Sequence, residues 1–268
     1  VNSGEAVNVH SLAKLDGGAG TDTLSFGVSG YGEAGATLTL THRGATNFEN
    51  LTGTAASETI NGDNSANVLQ GGDGADTING NGGNDTLDSG SGDSLANTLN
   101  GGAGDDTLTG HGGADTLDGG TGADTITTGS GSDTIILKSG DGGSEIADAD
   151  TITDFADGTD ALGLSGSLTF SGLTIAQGSG SNVNDTLISI TSTEEYLSVL
   201  QGVTATNVTA SDFMSMSGSA LTLSGTSGND TLIGGASGDT ATTGAGVDTI
   251  ITWAGNDAIT IDGVGNKT

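Results

Sequence analysis

The chain has 268 residues, 51 of them Gly, with no Pro and no Cys, and 34 acids against 4 Lys and Arg give it a formal net charge of -30. That charge excludes nucleic acid and anionic membrane as partners, since both are bound through basic surfaces. The missing cysteine excludes disulfides, thiolate metal sites and cysteine nucleophiles. No apolar run approaches the ~20 residues of a membrane-spanning helix. High charge with few aromatic residues is also the composition of a disordered chain. Disorder does not explain why the acids are mostly Asp and evenly spread; an ordered fold with a counter-ion does. Val1-Asn2-Ser3 carries neither an initiator Met nor a signal peptide, so the chain reads as a fragment or a processed product.

The first 52 residues hold one recognisable unit, Gly17-Gly18-Ala19-Gly20-Thr21-Asp22-Thr23-Leu24-Ser25. Leu38, Leu40, Phe48 and Leu51 predict irregular coils that cap or extend the next segment. From Gly53 to Ile136 the sequence divides into nines. Gly71-Gly72-Asp73-Gly74-Ala75-Asp76-Thr77-Ile78-Asn79 is the clearest unit. Sixth-position acids recur at Asp76 and Asp85, then at Asp106, Asp115, Asp124 and Asp133, and an apolar residue follows each by two. Glu58 and Asn67 replace the Asp in the two leading units. Ser89 to Asn100 is twelve residues long, a unit carrying a three-residue loop insertion. In each unit six residues rich in Gly, Asn and Asp form a turn. The next three form a short strand whose apolar side chain stands alone on one face. Two units then make one coil, coils stack about 4.8 Å apart, and Leu108, Leu117, Ile126 and Ile135 enter a thin core between parallel sheets. Thr at position seven points outward and suits a strand.

After Ile136 the period stops. Leu162-Gly163-Leu164 and Leu187-Ile188-Ser189-Ile190 alternate as strands do, and Thr193 to Leu200 forms a short helix or another strand. The nonapeptides restart at Gly225, with Asp230, Asp239, Asp248 and Asp257 at position six. The predicted organisation is therefore four segments, 1–52, 53–136, 137–224 and 225–268.

The nonapeptide, Gly-Gly-x-Gly-x-Asp-x-U-x with U large and apolar, resembles the repeat of the RTX (repeats-in-toxin) calcium-binding proteins of bacteria. The resemblance implies an all-β fold, a right-handed parallel β-roll, with 53–136 and 225–268 as two rolls. Phe48-Glu49-Asn50-Leu51-Thr52-Gly53 looks like the lead-in to such arrays, and Asp150-Thr151-Ile152-Thr153-Asp154-Phe155 resembles the segment that closes them. It also implies type I secretion and folding outside the cell, where calcium is abundant.

Turns on one edge come from every second unit, so Asp106 is expected beside Asp124, Asp115 beside Asp133, Asp230 beside Asp248 and Asp239 beside Asp257. Stacked carboxylates repel unless neutralised. Ca²⁺ accepts six to eight hard oxygen ligands in flexible geometry, whereas Mg²⁺ demands a tight octahedron. The expected calcium ligands are Asp76, Asp85, Asp106, Asp115, Asp124, Asp133, Asp230, Asp239, Asp248 and Asp257, with Asp22, Asp150 and Asp154 as further candidates. The competing reading makes them turn formers only, and predicts free exchange of Asn and Asp at position six; the regular units hold Asp. Asp239, with Ser237 at its fourth position, and Asp257, preceded by Thr252-Trp253, are the weakest matches.

His10, His42 and His111 form no His-Glu-x-x-His pair, and no nucleophile elbow or phosphate loop is present. The sequence therefore predicts no enzyme. It predicts a calcium-binding structural protein of the bacterial cell surface, of S-layer, filament or adhesin type, with self-association or other surface components as partners. The alternative is the C-terminal domain of a type I-secreted enzyme or toxin. Ice binding lacks a regular Thr file in the turns.

Overall fold

The structure is a computed structural model that describes residues 15–16, 19–25, 36–39, 45–46, 48–216, 221–235, 238–253 and 256–261. Leu40 and most of the first 47 residues lie outside the described residues. The chain winds into an all-β parallel solenoid of about 12 turns. A short strand, a glycine-rich turn, a second strand and a second turn make each coil, as the unit's local chemistry requires. Among the described residues, an eight-stranded and a ten-stranded sheet face each other across the core.

Register follows the repeat. Leu99 stands beside Leu117 on one sheet, and Leu108 beside Ile126 on the other. Across the twelve-residue unit the offset becomes 21, pairing Ile78 with Leu99 and Leu87 with Leu108. The three extra residues are absorbed in the turn before Asn97, so neither sheet breaks. The inward side chains Leu51, Ile60, Leu69, Ile78, Leu87, Leu99, Leu108, Leu117, Ile126 and Ile135 are all at most 1% exposed. Outside, Thr107 and Thr125 are exposed.

Such a core has no slack. Each inward Leu or Ile touches only the coils above and below and the facing strand, so a cavity cannot collapse. Leu108→Ala is expected to cost about 2–5 kcal/mol, read as a lower urea midpoint of the calcium-loaded protein.

The nine-residue period ends where the fold changes. Asp150–Ile152 and Ala161–Leu164 extend the two sheets by one strand each, parallel to the roll. Tyr196–Leu200 joins the larger sheet, so the stretch Thr193 to Leu200, open in the sequence between helix and strand, forms a strand over its last five residues. Thr186–Ile190 and Leu173–Gln177 then pair antiparallel beyond it, and Phe213–Ser215 closes the smaller sheet. This closing region is packed conventionally, around Leu162, Leu164, Ile188, Leu197, Leu200 and Phe213. Phe170 and Phe213 meet at 5.1 Å between ring centroids. The second array forms its own short parallel pairs, Thr222–Ser224 with Thr240–Thr242 and Thr231–Ile233 with Thr249–Ile251. It adjoins the closing region through Ser215 N–H to the Gly234 carbonyl, 3.0 Å, and Trp253 Nε1 to the Phe213 carbonyl, 2.8 Å.

Candidate metal centre

Position six lies at the end of each turn, where the chain re-enters a strand. There its carbonyl accepts the amide of the seventh residue one coil on, as in Thr107 N–H to Asp85 O and Thr125 N–H to Asp106 O, both 2.8 Å. The side chain completes the link in the opposite direction. Asp106 Oδ1 accepts the Asp85 amide and Asp124 Oδ1 accepts the Asp106 amide, both at 2.7 Å. Position-six residues from Glu58 to Asp133 are thereby clamped to the next coil.

These bonds build two columns. One contains Glu58, Asp76, Asn97, Asp115, Asp133 and Asp160. The other contains Asn67, Asp85, Asp106, Asp124 and Asp150. In the second array Asp248 Oδ1 accepts from Asp230 N–H and Asp257 Oδ1 from Asp239 N–H. Asp22 lies outside the two columns, with its amide on Glu49 Oε2 and its own Oδ2 buried without a partner. Asp154 is placed differently: one oxygen accepts the Thr128 amide and the other the Gly129 amide, which ties down a turn.

The second carboxylate oxygen separates the members. In Asp76, Asp85, Asp106, Asp115, Asp124 and Asp133, Oδ2 is buried and has no hydrogen-bond partner, and each residue is at most 2% exposed. An unsatisfied buried charge is among the costliest features a fold can carry. In other turns the corresponding oxygen is satisfied by the amide four residues earlier. Glu58 receives Thr54 N–H, Asn67 receives Asp63 N–H, Asp230 receives Thr226 N–H, Asp239 receives Gly235 N–H, and Asp160 receives Ala156 N–H. The turn-forming role thus describes these residues, while six acids of the first array lack any donor for Oδ2.

The glycine at position one explains where those oxygens point. A Cβ on Gly101 would collide with Asp106 Oδ2 and with the Gly119 carbonyl of the next coil. Two acceptors therefore crowd one spot, with no donor between them. Gly71 and Gly80 repeat the arrangement with Asp76 Oδ2 and Ser89 O, and with Asp85 Oδ2 and Gly101 O. Among the described residues no three His, Cys, Asp or Glu side chains converge on one point. Any ion here takes much of its shell from backbone oxygens, and such a donor set of carboxylates and carbonyls fits a hard, large cation.

Electrostatics agree. Burial pushes the Asp76, Asp85, Asp115 and Asp124 carboxyls up to about 6 from 3.8, against the opposing backbone hydrogen bonds. Asp106 and Asp133 move the same way for the same leading cause. Asp150 is pushed up to about 9, by burial first and then by the Asp124 charge.

The nine-residue spacing marks neither Asp160 nor Asp141 as a site residue, whereas it puts Asn97 at position six of a degenerate unit. Asp160 stands two residues before the buried Leu162, the same acid-to-apolar spacing as in every unit, but the 27-residue step from Asp133 hid it. Asn97 holds the column place of the lengthened unit. Asp141 is 6% exposed, with an Oδ1 that lacks a hydrogen bond and lies 3.9 Å from Lys138 Nζ.

Comparison with known sequences finds the RTX calcium-binding nonapeptide repeat at residues 14–28, 52–87, 61–96, 91–126, 109–143 and 224–259. Among solved structures, the chain is similar to the AlgE6R3 subunit of the mannuronan C5-epimerase from Azotobacter vinelandii. That match has 19% identity and a TM-score of 0.33, and covers 73% of this chain and 86% of the other. No curated protein matches.

Proposed function

The chain belongs to the RTX calcium-binding nonapeptide repeat family, and from that premise we propose that it is an extracellular structural protein of the bacterial cell surface, rigidified by Ca²⁺ held between its coils. RTX repeats bind several Ca²⁺ ions, so calcium is the ligand.

One observation carries it: six buried Asp Oδ2 atoms in register, each without a donor. In this reading Asp76, Asp115 and Asp133 serve one edge, and Asp85, Asp106 and Asp124 the other. Asp150 closes the second column. Asp230, Asp239, Asp248 and Asp257 form a weaker set, because Asp230 and Asp239 already receive an amide on the second oxygen. Asp154, with both oxygens engaged, has a structural part, and Asp22 belongs to an outlying coil.

An ion between coils neutralises the columns and joins each turn to the next, so its free energy of binding becomes free energy of folding. The result is a stiff rod that forms only where calcium is plentiful. Extracellular modules bind calcium at about 10⁻⁴–10⁻³ M, which keeps the chain unfolded until export. The supporting features for a structural role are the repetition of one coil along the rod and the assignment of its acids to coil-to-coil contacts.

Asparagine is isosteric with aspartate and keeps Oδ1 as an acceptor. Asp106→Asn is therefore expected to lower the calcium stoichiometry of isothermal titration by at least one ion. Asp230→Asn is expected to change it far less. Equal titrations for wild type and Asp106→Asn would reduce the acids to turn formers.

A further inference from the structure

The larger sheet ends at Leu173–Gln177, its outermost strand among the described residues. We propose that this strand is a self-association edge, at which two copies of the chain pair antiparallel about a two-fold axis through Ile175. This deepens the surface-assembly reading above and rests on it; the fold itself does not.

The hydrogen-bond phase of the strand is fixed by its neighbour. Gly178 N–H reaches the Asp185 carbonyl and Thr191 N–H the Gly172 carbonyl, both at 2.9 Å. Leu173 faces Ile190 and Gln177 faces Thr186 in the same ladder. Bonded and non-bonded pairs alternate in an antiparallel ladder. Thr174 and Ala176 therefore bond inward to Ser189 and Leu187, while Leu173, Ile175 and Gln177 turn their backbone groups to the outer edge. The Leu173 amide closes a tight turn onto Phe170 O. That leaves both groups of Ile175, the Gln177 amide and the Leu173 carbonyl facing outward.

The edge is also rigid. Gln177 Nε2 donates to the Val183 and Asp185 carbonyls, which locks the hairpin end. Leu173 and Ile175 pack against the core, and Thr174 and Ala176 are exposed.

Exposed strand edges are normally guarded by charge, Pro or a bulge. Here nothing of the kind is present: residues 161–184 contain no Asp, Glu, Lys, Arg or His. In a chain of formal charge -30, most surfaces repel a second copy. An uncharged edge lets two copies meet without bringing acids together. A strand paired antiparallel with itself gives a closed, two-fold interface. Centred on Ile175, the two Ile175 residues exchange both backbone bonds, the Gln177 amide meets the Leu173 carbonyl of the other copy, and Thr174 lies opposite Ala176.

That last juxtaposition supplies a test that spares the fold, since both side chains are exposed. In millimolar Ca²⁺, sedimentation velocity of the full chain is expected to show a dimer whose fraction rises with NaCl, as repulsion between the acidic bodies is screened. Thr174→Glu with Ala176→Glu places like charges opposite each other and is expected to give a monomer. Thr174→Lys with Ala176→Glu places opposite charges across the same axis and is expected to restore the dimer. A monomeric wild type, a dimeric Glu/Glu variant or a monomeric Lys/Glu variant overturns the proposal. Circular dichroism of the same samples separates this from a failure of the calcium reading, which would instead leave the chain without its calcium-dependent strand signal.

Discussion

Chelation of calcium is expected to erase the strand structure of residues 53–137 while residues 161–215 keep part of theirs. The reason is the distribution of buried apolar surface. A nonapeptide of the roll buries one Leu or Ile fully, too little to offset the ordering of nine backbone residues. Six of these units also bury a carboxylate oxygen without a donor, and most of those acids stack on another acid one coil away. Removing the cation leaves a column of mutually repelling, desolvated acids, which the chain relieves by unfolding. The closing region has larger side chains packed from several directions around Phe213 and Leu200, and an antiparallel pair built from local contacts. Hydrogen exchange in excess EGTA measures the difference. The amides of Thr107, Thr116 and Thr125 should exchange as in an unfolded chain, while those of Leu187–Ile190 keep measurable protection. Protection of the Thr amides in EGTA equal to that in calcium would sink the expectation.

In the absence of calcium, acid is expected to do part of the metal's work. Asp76, Asp85, Asp115 and Asp124 rise to about 6 in the folded roll, chiefly because burial disfavours the charged form. The unfolded value is close to 3.8. Between these values the folded chain binds more protons than the unfolded one, so stability falls as pH rises through the window. The contribution is fully present below about 3.8 and is lost above about 6. Lowering the pH from 7 to 4 in EGTA should therefore raise the strand signal in circular dichroism. In calcium the sign reverses, because protons compete with the ion for the same oxygens. Exposed acids also discharge in acid and reduce repulsion. Combined Asn substitution at the four positions separates the two effects, since it should flatten the response in EGTA. A strand signal independent of pH between 7 and 4 without calcium would refute the account.

Much of the roll was legible because its determinants are local. The acid-x-apolar spacing set which side chain faces inward, and the glycines set where the chain turns. The expected neighbours Asp106 and Asp124, and Asp115 and Asp133, do lie one coil apart, joined by backbone-to-carboxylate bonds. Reading failed where spacing became irregular. Asp160 occupies a column place 27 residues after Asp133, and no fixed period announces that step. Thr193 to Leu200 is ambiguous between helix and strand in the sequence because a short apolar run has no distinctive period; the open edge of Asp150–Ile152 makes Tyr196–Leu200 a strand.

The sequence by itself determined the coil, its inward residue and the identity of the metal-binding repeat, since each depends on nine consecutive residues. Only the tertiary structure decided which acids keep a buried oxygen without a donor. Gly235 N–H turns back to Asp239 Oδ2 in its own turn, at 2.7 Å. Gly72 N–H, at the same place in its unit, reaches forward to the Ser89 carbonyl of the next coil at 3.0 Å, and Asp76 Oδ2 is left without a donor. The two units share their leading glycines and their acid. They differ at position four, Gly74 against Ser237, and in the neighbouring coil, which takes the Gly72 amide through the Ser89 carbonyl; that neighbour is remote in the chain.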